Sequence, residues 1–369
     1  MALITYITRI QFEFGAIAEL PQELELHGIG RPILVTDAGV AASGIAERVA
    51  SLLPADSPRF EGVPSNPTEA ALEAALQLYQ ENGCDGIVAL GGGSCLDLGK
   101  AAALIARQGG RFADYQIKGG TRRIEGTVPW VAVPTAAGTG AEVGRASSLT
   151  LHTGHKVAAV SLNMVPRSVI CDPELTLSLP PGMTAATGMD ALSHGMEAFL
   201  SNRINPPADA IALDCVRRVA GNLRRAVEAG DDREARWQMM MGALLGGLTL
   251  QKGLGAMHAM SHPLGELDLH HGTLNAVLMP AALRFNAPAV PEKIEALNKA
   301  VGIGSSEDLA SWVEALNAAI GMPSGLAEMG VVASAIPELA AAASIDHLSV
   351  TNPRPASAAD YEGMLHDAM

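Results

Sequence analysis

The segment GIVALGGGSCLDLGK, residues 86–100, joins an apolar strand-like run to a helical one through three consecutive glycines and a serine. Gly86–Leu90 reads as a buried strand and Leu96–Arg107 as a helix. Between them, the backbone amides of Gly91–Ser94 can close on a pyrophosphate, and the positive end of the following helix adds to the attraction. The competing reading is a flexible turn. A Walker A loop is excluded, because Ser94 stands where its first glycine is needed and Lys100 is followed by Ala101. The GxGxxG fingerprint is absent too, since the GIG at Gly28–Gly30 precedes its strand instead of following it.

The same alternation extends outward. Strand-like runs occur at Pro32–Thr36 and Trp130–Val133, and a helical run at Thr68–Glu81. Strands separated by helices at this spacing predict βαβ units and a mostly parallel, Rossmann-like sheet. After CDPELTLSLPP, residues 171–181, the strand signal stops. Long helices are predicted at Met183–Leu200, Pro207–Glu228, Arg233–Gln251 and Ala256–Leu267. The expected organisation is an α/β dinucleotide-binding domain over residues 1–175 and an all-helical domain over 176–369 that carries metal and substrate.

A second loop, PTAAGTGAEV at residues 134–143, also follows an apolar strand and offers Thr135, Thr139, Gly138 and Gly140 to a ligand. Two such loops on neighbouring strands would meet at the carboxyl edge of a parallel sheet, where ligands bind. Asp37 ends the strand PILVT. An acid there accepts hydrogen bonds from an adenosine ribose and repels a 2′-phosphate, which favours NAD over NADP. The alternative for Asp37 is a turn residue before Gly39.

Five of the ten histidines lie between residues 194 and 271. Asp190 and His194 are spaced i, i+4, as are His258 and His262, so each pair occupies one face of a helix. Asp190, His194, His258 and His271 can supply a carboxylate and three imidazoles, enough for a divalent metal. Histidines satisfied within a helical core are the plainer explanation, but five in apolar, glycine-rich segments are too many for it.

Composition narrows the function further. The 369 residues are 48% hydrophobic and 17% charged, so a large core is available, and the formal charge of −14 argues against nucleic acid and anionic membranes as partners. No apolar run reaches the roughly 18 residues of a membrane span. The opening MALITYITRIQFEFG lacks the features of a signal peptide. Cys84, Cys95, Cys171 and Cys215 are widely spaced without a CxxC, as expected of a reducing cytoplasm.

GGGSCLDLGK, PTAAGTGAEV, GMDALSHGMEAF, HAMSHPLG and HHGTLNAVLMP, followed by the NPR at Asn352–Arg354, resemble in content and order the signatures of the iron-containing, group III alcohol dehydrogenases. The similarity spans nearly the whole chain. INPPADAIALD, QKGLG and SHPLG resemble most the branch acting on 4-hydroxybutyrate. The resemblance implies an active site in the cleft between the two domains, with Asp190, His194, His258 and His271 as ligands of Fe2+, or Zn2+ in isolated protein. It puts the family's additional active-site histidine on His262. Its NAD contacts fall on Asp37, Asn66, Gly92, Gly93, Ser94, Asp97, Thr135, Thr139 and Lys156. Departures are Ala136 and Ala141, where the family pattern PTTAGTGSE has hydroxyls. The link from His262 to the next ligand is also one residue shorter than usual, which leaves His270 as a rival to His271.

Such a site suits the chemistry of hydride removal from a carbinol. A divalent ion lowers the pKa of bound water from about 16 to about 7, which for an alcohol treated alike is worth about 12 kcal/mol. His262 is expected either to relay a proton or to support the ligands. Arg145 and Lys252 flank the motifs and are candidates to hold the carboxylate of a short hydroxycarboxylate; the alternative is that both are ordinary surface or interdomain cations. The expected activity is therefore hydride transfer between a primary alcohol, 4-hydroxybutyrate first, and NAD, in a cytoplasmic homodimer. Alternatives are a family member acting on uncharged alcohols or diols, a lyase like dehydroquinate synthase, and a non-catalytic metal or nucleotide binder. NADH accumulation separates a dehydrogenase from the lyase, which regenerates its NAD.

Overall fold

Pro32–Val35 and Gly86–Gly91 are buried at every position, as strands covered on both faces must be. In the computed structural model, which describes Tyr6 and residues 8–369, they are inner strands of a six-stranded, wholly parallel sheet. Its strands are β1 (Arg9–Phe12), β2 (Pro32–Val35), β3 (Arg59–Phe60), β4 (Gly86–Gly91), β5 (Trp130–Pro134) and β8 (Ser168–Cys171), in the order β1-β8-β5-β4-β2-β3. Residues 1–5 and 7, within the stretch that lacks signal-peptide features, lie outside the described residues. Strand order reverses between β2 and β4, so the segments following these two strands flank a topological switch point. One face of the sheet packs Leu34, Val88, Leu90, Val131 and Ile170 against Leu20, Leu24 and Val49 of the short helices α1 (Leu20–Leu26) and α3 (Ile45–Ala50). The remaining helices of this part are α2 (Ala38–Ala42), α4 (Glu69–Glu81) and α5 (Gly93–Gln108).

An antiparallel hairpin, β6 (Ala146–Thr150) and β7 (Lys156–Val160), adds a small second sheet. Buried Lys100 on α5 ties down the approach to it. Its Nζ donates to the carbonyls of Ala141 (3.0 Å), Gly144 (3.0 Å) and Ala146 (2.6 Å), with Asp97 Oδ1 3.8 Å away. Lys100 is thus a structural cation, consistent with the exclusion of a Walker lysine.

Helices make up the rest: α6 (Pro181–Leu200), α7 (Pro206–Glu228), α8 (Arg233–Thr249), α9 (Ala256–Gly265), α10 (His271–Asn286), α11 (Pro291–Val301), α12 (Leu309–Ala319), α13 (Ile336–Ser344) and α14 (Ala358–Asp367). Sixteen of the twenty residues of α6 are buried, because α7, α8 and α10 pack around it. By packing, the chain divides into Tyr6–Ala136 with Ala141–Ser178, and Leu179–Met369 with Ala137–Gly140. The break falls after Ser178 instead of 175. The reason is Asp172, whose buried carboxylate accepts from the amides of Gly15, Ile17 and Glu174 and holds the turn Pro173–Thr176 to the sheet unit. Among the described residues no helix is long and apolar enough to cross a membrane.

Candidate metal centre and nucleotide loops

Two helical turns set out the first half of the metal group. On α6, Asp190, His194 and Glu197 lie at i, i+4 and i+7, all buried. Beside it, α10 begins at His271, and close approach of the two backbones brings that ring to Asp190. The Nε2 atoms of His194 and His271 each lie 3.7 Å from Asp190 Oδ1. His258, on α9, completes the set: its ring stacks 4.9 Å from that of His194 at 17° and lies 5.4 Å from that of His271. Ligand atoms of Asp190, His258 and His271 all fall within 4.8 Å of one another. Adjacent His270 is exposed and its Nδ1 meets Thr273 Oγ1 at 3.3 Å, so it is His271 that the fold brings to Asp190.

The donor set fits a cation. Asn275, one turn along α10 from His271, points its Nδ2 at Asp190 Oδ1 (2.9 Å), His258 Nε2 (3.2 Å) and His271 Nε2 (3.2 Å). One amide nitrogen, with two hydrogens, faces three converging lone pairs. Asn275 Oδ1 and His194 Nδ1 are buried without a partner. Three acceptors crowded on one buried amide nitrogen are costly, and a divalent ion among them resolves the surplus. Burial alone would raise the Asp190 carboxyl, but His194, His271 and His258 outweigh it and hold it below the usual carboxylate value. Burial pushes His194 down to about 4 and His271 well below its ordinary value, so both rings are neutral near pH 7 and need shed no proton to bind a metal.

Glu197, which the sequence reading did not single out, fixes His258. Its carboxylate takes His258 Nδ1 at 2.7 Å, leaving Nε2 toward Asn275 and Asp190. The same oxygens accept from the amides of Gly255 (3.0 Å), Met257 (2.8 Å) and His258 (3.4 Å). Helix α9 opens on a glycine with no capping side chain, and Glu197 supplies the cap from a neighbouring helix.

Gly272 permits the contact between α10 and α6. A β-carbon there would fall inside the van der Waals shell of the Ala186 carbonyl oxygen and lie 3.3 Å from Asp190 Cβ. Neither obstacle can move without shifting a buried helix. Gly272→Ala is expected to part His271 from Asp190 and weaken metal retention by about 10- to 100-fold, the loss typical of disturbing a ligand's support. Metal content after dialysis against a graded chelator measures this, and unchanged retention would disprove the packing argument.

His262 lies one turn beyond His258, 6.4 Å from the His271 ring, and its Nδ1 meets Asp346 Oδ2 at 2.9 Å. Lys252 stands elsewhere. Its ammonium is buried, ion-paired with Asp209 and donating to the Phe199 carbonyl, so its charge is spent within the helical core and does not serve a substrate carboxylate. Arg145 is half-buried at the turn into β6.

In the sheet unit the nucleotide candidates gather at the carboxyl ends of β2, β4 and β5. The helix α5 starts at Gly93, earlier than the sequence pattern indicates, so Gly93 and Ser94 form its first turn. Gly92 at its N-cap has no side chain to satisfy the orphan amides, which leaves them for an anion. Asp37 Oδ1 caps α2 through Val40 N, and Oδ2 accepts from Cys95 Sγ at 3.1 Å. The turn role weighed for Asp37 is therefore real, and it sets the carboxylate beside the glycine loop: a β-carbon on Gly91 would lie 3.4 Å from Asp37 Oδ2. Thr135 N donates to Gly91 O at 3.0 Å, joining the loops after β4 and β5. Ser94 Oγ donates to Ser65 O, and Lys156 Nζ reaches Asn66 Oδ1 at 3.4 Å, so three side chains and one backbone carbonyl line one side of the loop group. Asp97 is turned to the hairpin, accepting from Ser148 N at 3.0 Å, and burial raises its carboxyl against the pull of Lys100. Exposed Thr139 belongs with Ala137–Gly140 to the helical unit, where Gly140 abuts Gly247 of α8. The crowding at Gly140 is by a helix backbone.

Residues 8–173 match the iron-containing alcohol dehydrogenase family and residues 184–369 its C-terminal region. The chain belongs to the iron-containing alcohol dehydrogenase family. It is an oxidoreductase of that family, as its relatives are. It is 46% identical, over all of both chains, to the 4-hydroxybutyrate dehydrogenase of Cupriavidus necator. A crystal structure of a 1,3-propanediol oxidoreductase covers it fully, with 33% identity and a TM-score of 0.94. The sulfoacetaldehyde reductase of Bifidobacterium kashiwanohense, solved in complex with NAD+, shares 30% identity and a TM-score of 0.91, covering 100% of this chain and 99% of its own. In this iron-containing alcohol dehydrogenase the features missed in sequence, Glu197 and Asn275, are polar groups at helical spacing from a predicted ligand. The i+3 step from His194 to Glu197 and the i+4 step from His271 to Asn275 were the available signals.

Proposed function

We propose that the protein transfers hydride between NAD and a short ω-hydroxycarboxylate, 4-hydroxybutyrate in the first instance, with a divalent metal held by Asp190, His194, His258 and His271. The observation that carries this reading is the convergence of three acceptor atoms, from Asp190, His258 and His271, on Asn275 Nδ2. It occurs in a chain 46% identical to a 4-hydroxybutyrate dehydrogenase. A divalent ion in this group, Fe2+ by the family and Zn2+ as a substitute, supplies Lewis acidity that favours ionisation of an alcohol and polarises an aldehyde carbonyl.

The protein's own residues supply position and proton traffic. Glu197 holds His258 with Nε2 available for ligation. Asp346 holds His262 through Nδ1, which leaves Nε2 to accept, so that His262 can take up the alcohol's proton. The amides of Gly92, Gly93 and Ser94 bind the pyrophosphate, Thr135 and Thr139 line it, and Asp37 accepts from the adenosine ribose, which selects NAD. Asn66 and Lys156, already paired, and Asp97 complete the nucleotide contacts. Arg145 alone is retained for the substrate carboxylate, Lys252 being neutralised by Asp209. The four cysteines are free and buried, which supports a reducing, cytoplasmic setting; a homodimer completes the reading.

The test is a spectrophotometric panel of hydroxyacids, diols and primary alcohols with NAD and NADP, on protein loaded with Fe2+ or Zn2+. NADH should accumulate, with kcat/KM highest for 4-hydroxybutyrate. Arg145→Ala should raise KM for the hydroxycarboxylate by about tenfold, the loss of one charge-assisted contact of about 1.4 kcal/mol, and leave neutral alcohols unaffected. Equal or better turnover of uncharged alcohols or diols would move the assignment to another substrate branch.

A further inference from the structure

Asp346, just past the end of α13, faces two imidazoles. His262 Nδ1 lies 2.9 Å from its Oδ2 and His347 Nδ1 lies 3.5 Å from its Oδ1. The two rings are nearly parallel, 5.8 Å apart at 22°. The three donor atoms lie within 4.8 Å of one another. The carboxylate is already anchored, because Oδ1 accepts from Leu348 N at 2.8 Å. This cluster is open to solvent: the side chains of His262 and His347 are 39% and 47% exposed.

We propose that His262, Asp346 and His347 form a second site for a divalent transition metal, zinc above all, separate from the buried group on α6. Two imidazoles and a carboxylate are the ligand types zinc prefers, and three protein ligands with solvent on the fourth side complete a tetrahedral ion. Zinc bonds of about 2.0–2.2 Å at tetrahedral angles place ligand atoms about 3.3–3.6 Å apart. The observed 3.5 Å falls within that spacing and 2.9 Å just below it, each to a different oxygen of Asp346, so small side-chain rotations suffice. The ion would replace the proton that His262 Nδ1 shares with the carboxylate.

Occupancy has a consequence that rests on the proton-relay role given to His262. Metal on Nδ1 forces the ring's proton onto Nε2, which then no longer accepts. Excess zinc therefore inhibits without displacing the first metal.

The test uses holoenzyme whose first site is filled, titrated with Co2+ followed by visible absorption and bound-metal analysis, and separately with Zn2+ followed by turnover. The wild-type chain should bind a second equivalent. His347→Ala and His347→Gln should stop at one, keep wild-type turnover without added metal, and require at least about tenfold more Zn2+ for half-inhibition. Saturation of the wild type at one equivalent, or equal second binding by both variants, would overturn the site. A second equivalent lost in the variants but without effect on turnover would uphold the site and count against the relay role of His262 alone.

Discussion

Asp190→Asn is expected to yield a folded protein that retains almost no metal and turns over at least about 10⁴-fold more slowly, a loss of about 5.5 kcal/mol of transition-state stabilisation. Asp190 is the only carboxylate in the group, and the imidazoles of His194 and His271 are neutral. Asparagine keeps the shape and can still accept from Asn275 Nδ2, so the apoprotein should lose little stability. What disappears is the one full negative charge facing the cation in a buried, low-dielectric setting, where that attraction is strongest. The metal's effect on alcohol acidity has a ceiling of about 12 kcal/mol, ample to account for the predicted loss. Metal per chain, steady-state turnover and thermal unfolding of the apoprotein, measured together, decide the matter. Full metal content with normal turnover would remove Asp190 from the ligand set.

Glu197→Ala has the largest expected effect on stability. Four donors depend on this one carboxylate: three amides at the start of α9 and His258 Nδ1. All are buried, and alanine offers none of them a partner. Stranding buried donors costs about 1–3 kcal/mol each, and partial relaxation keeps the sum to about 3–5 kcal/mol. That corresponds to a fall in Tm of about 10 °C for a helical unit of this size. Metal affinity should drop about 10- to 100-fold as the His258 ring loses its fixed orientation. Glu197→Gln, which retains one acceptor oxygen and introduces a donor among donors, should fall between. Calorimetry on metal-free and metal-loaded protein separates the two contributions. A metal-free Tm that does not move would show that α9 is held by other means.

What could be read in the sequence follows physical range. The period of buried strands and helices is local, so β2, β4, β5 and α6 to α9 were legible within a few residues. The i, i+4 steps of Asp190–His194 and His258–His262 are likewise properties of a single helix. Strands β1 and β8 and the β6–β7 hairpin escaped because they mix small, polar or charged residues with apolar ones and so lack an unbroken apolar run. Glu197 belongs to no pair that the helical spacing marks by itself, and only packing of α9 on α6 gives it four donors. Lys252 illustrates the opposite failure. Its sequence neighbours are motif residues, while the carboxylate that neutralises it, Asp209, is 43 positions away. Electrostatic partnership at that separation is a property of tertiary structure.

The NPR motif, Asn352–Arg354, reaches two of the helices that carry the metal group. Asn352 Oδ1 accepts from Ala256 N, at the start of the helix that carries His258, and Asn352 also exchanges hydrogen bonds with Asn286 at the end of α10. Arg354 seals the clasp, donating to the Phe285 carbonyl while its guanidinium stacks on the Phe285 ring. The helices bearing two of the four ligands are therefore buckled together by a residue 66 to 96 positions further along the chain, so the spacing of His258 and His271 depends on a segment that holds neither.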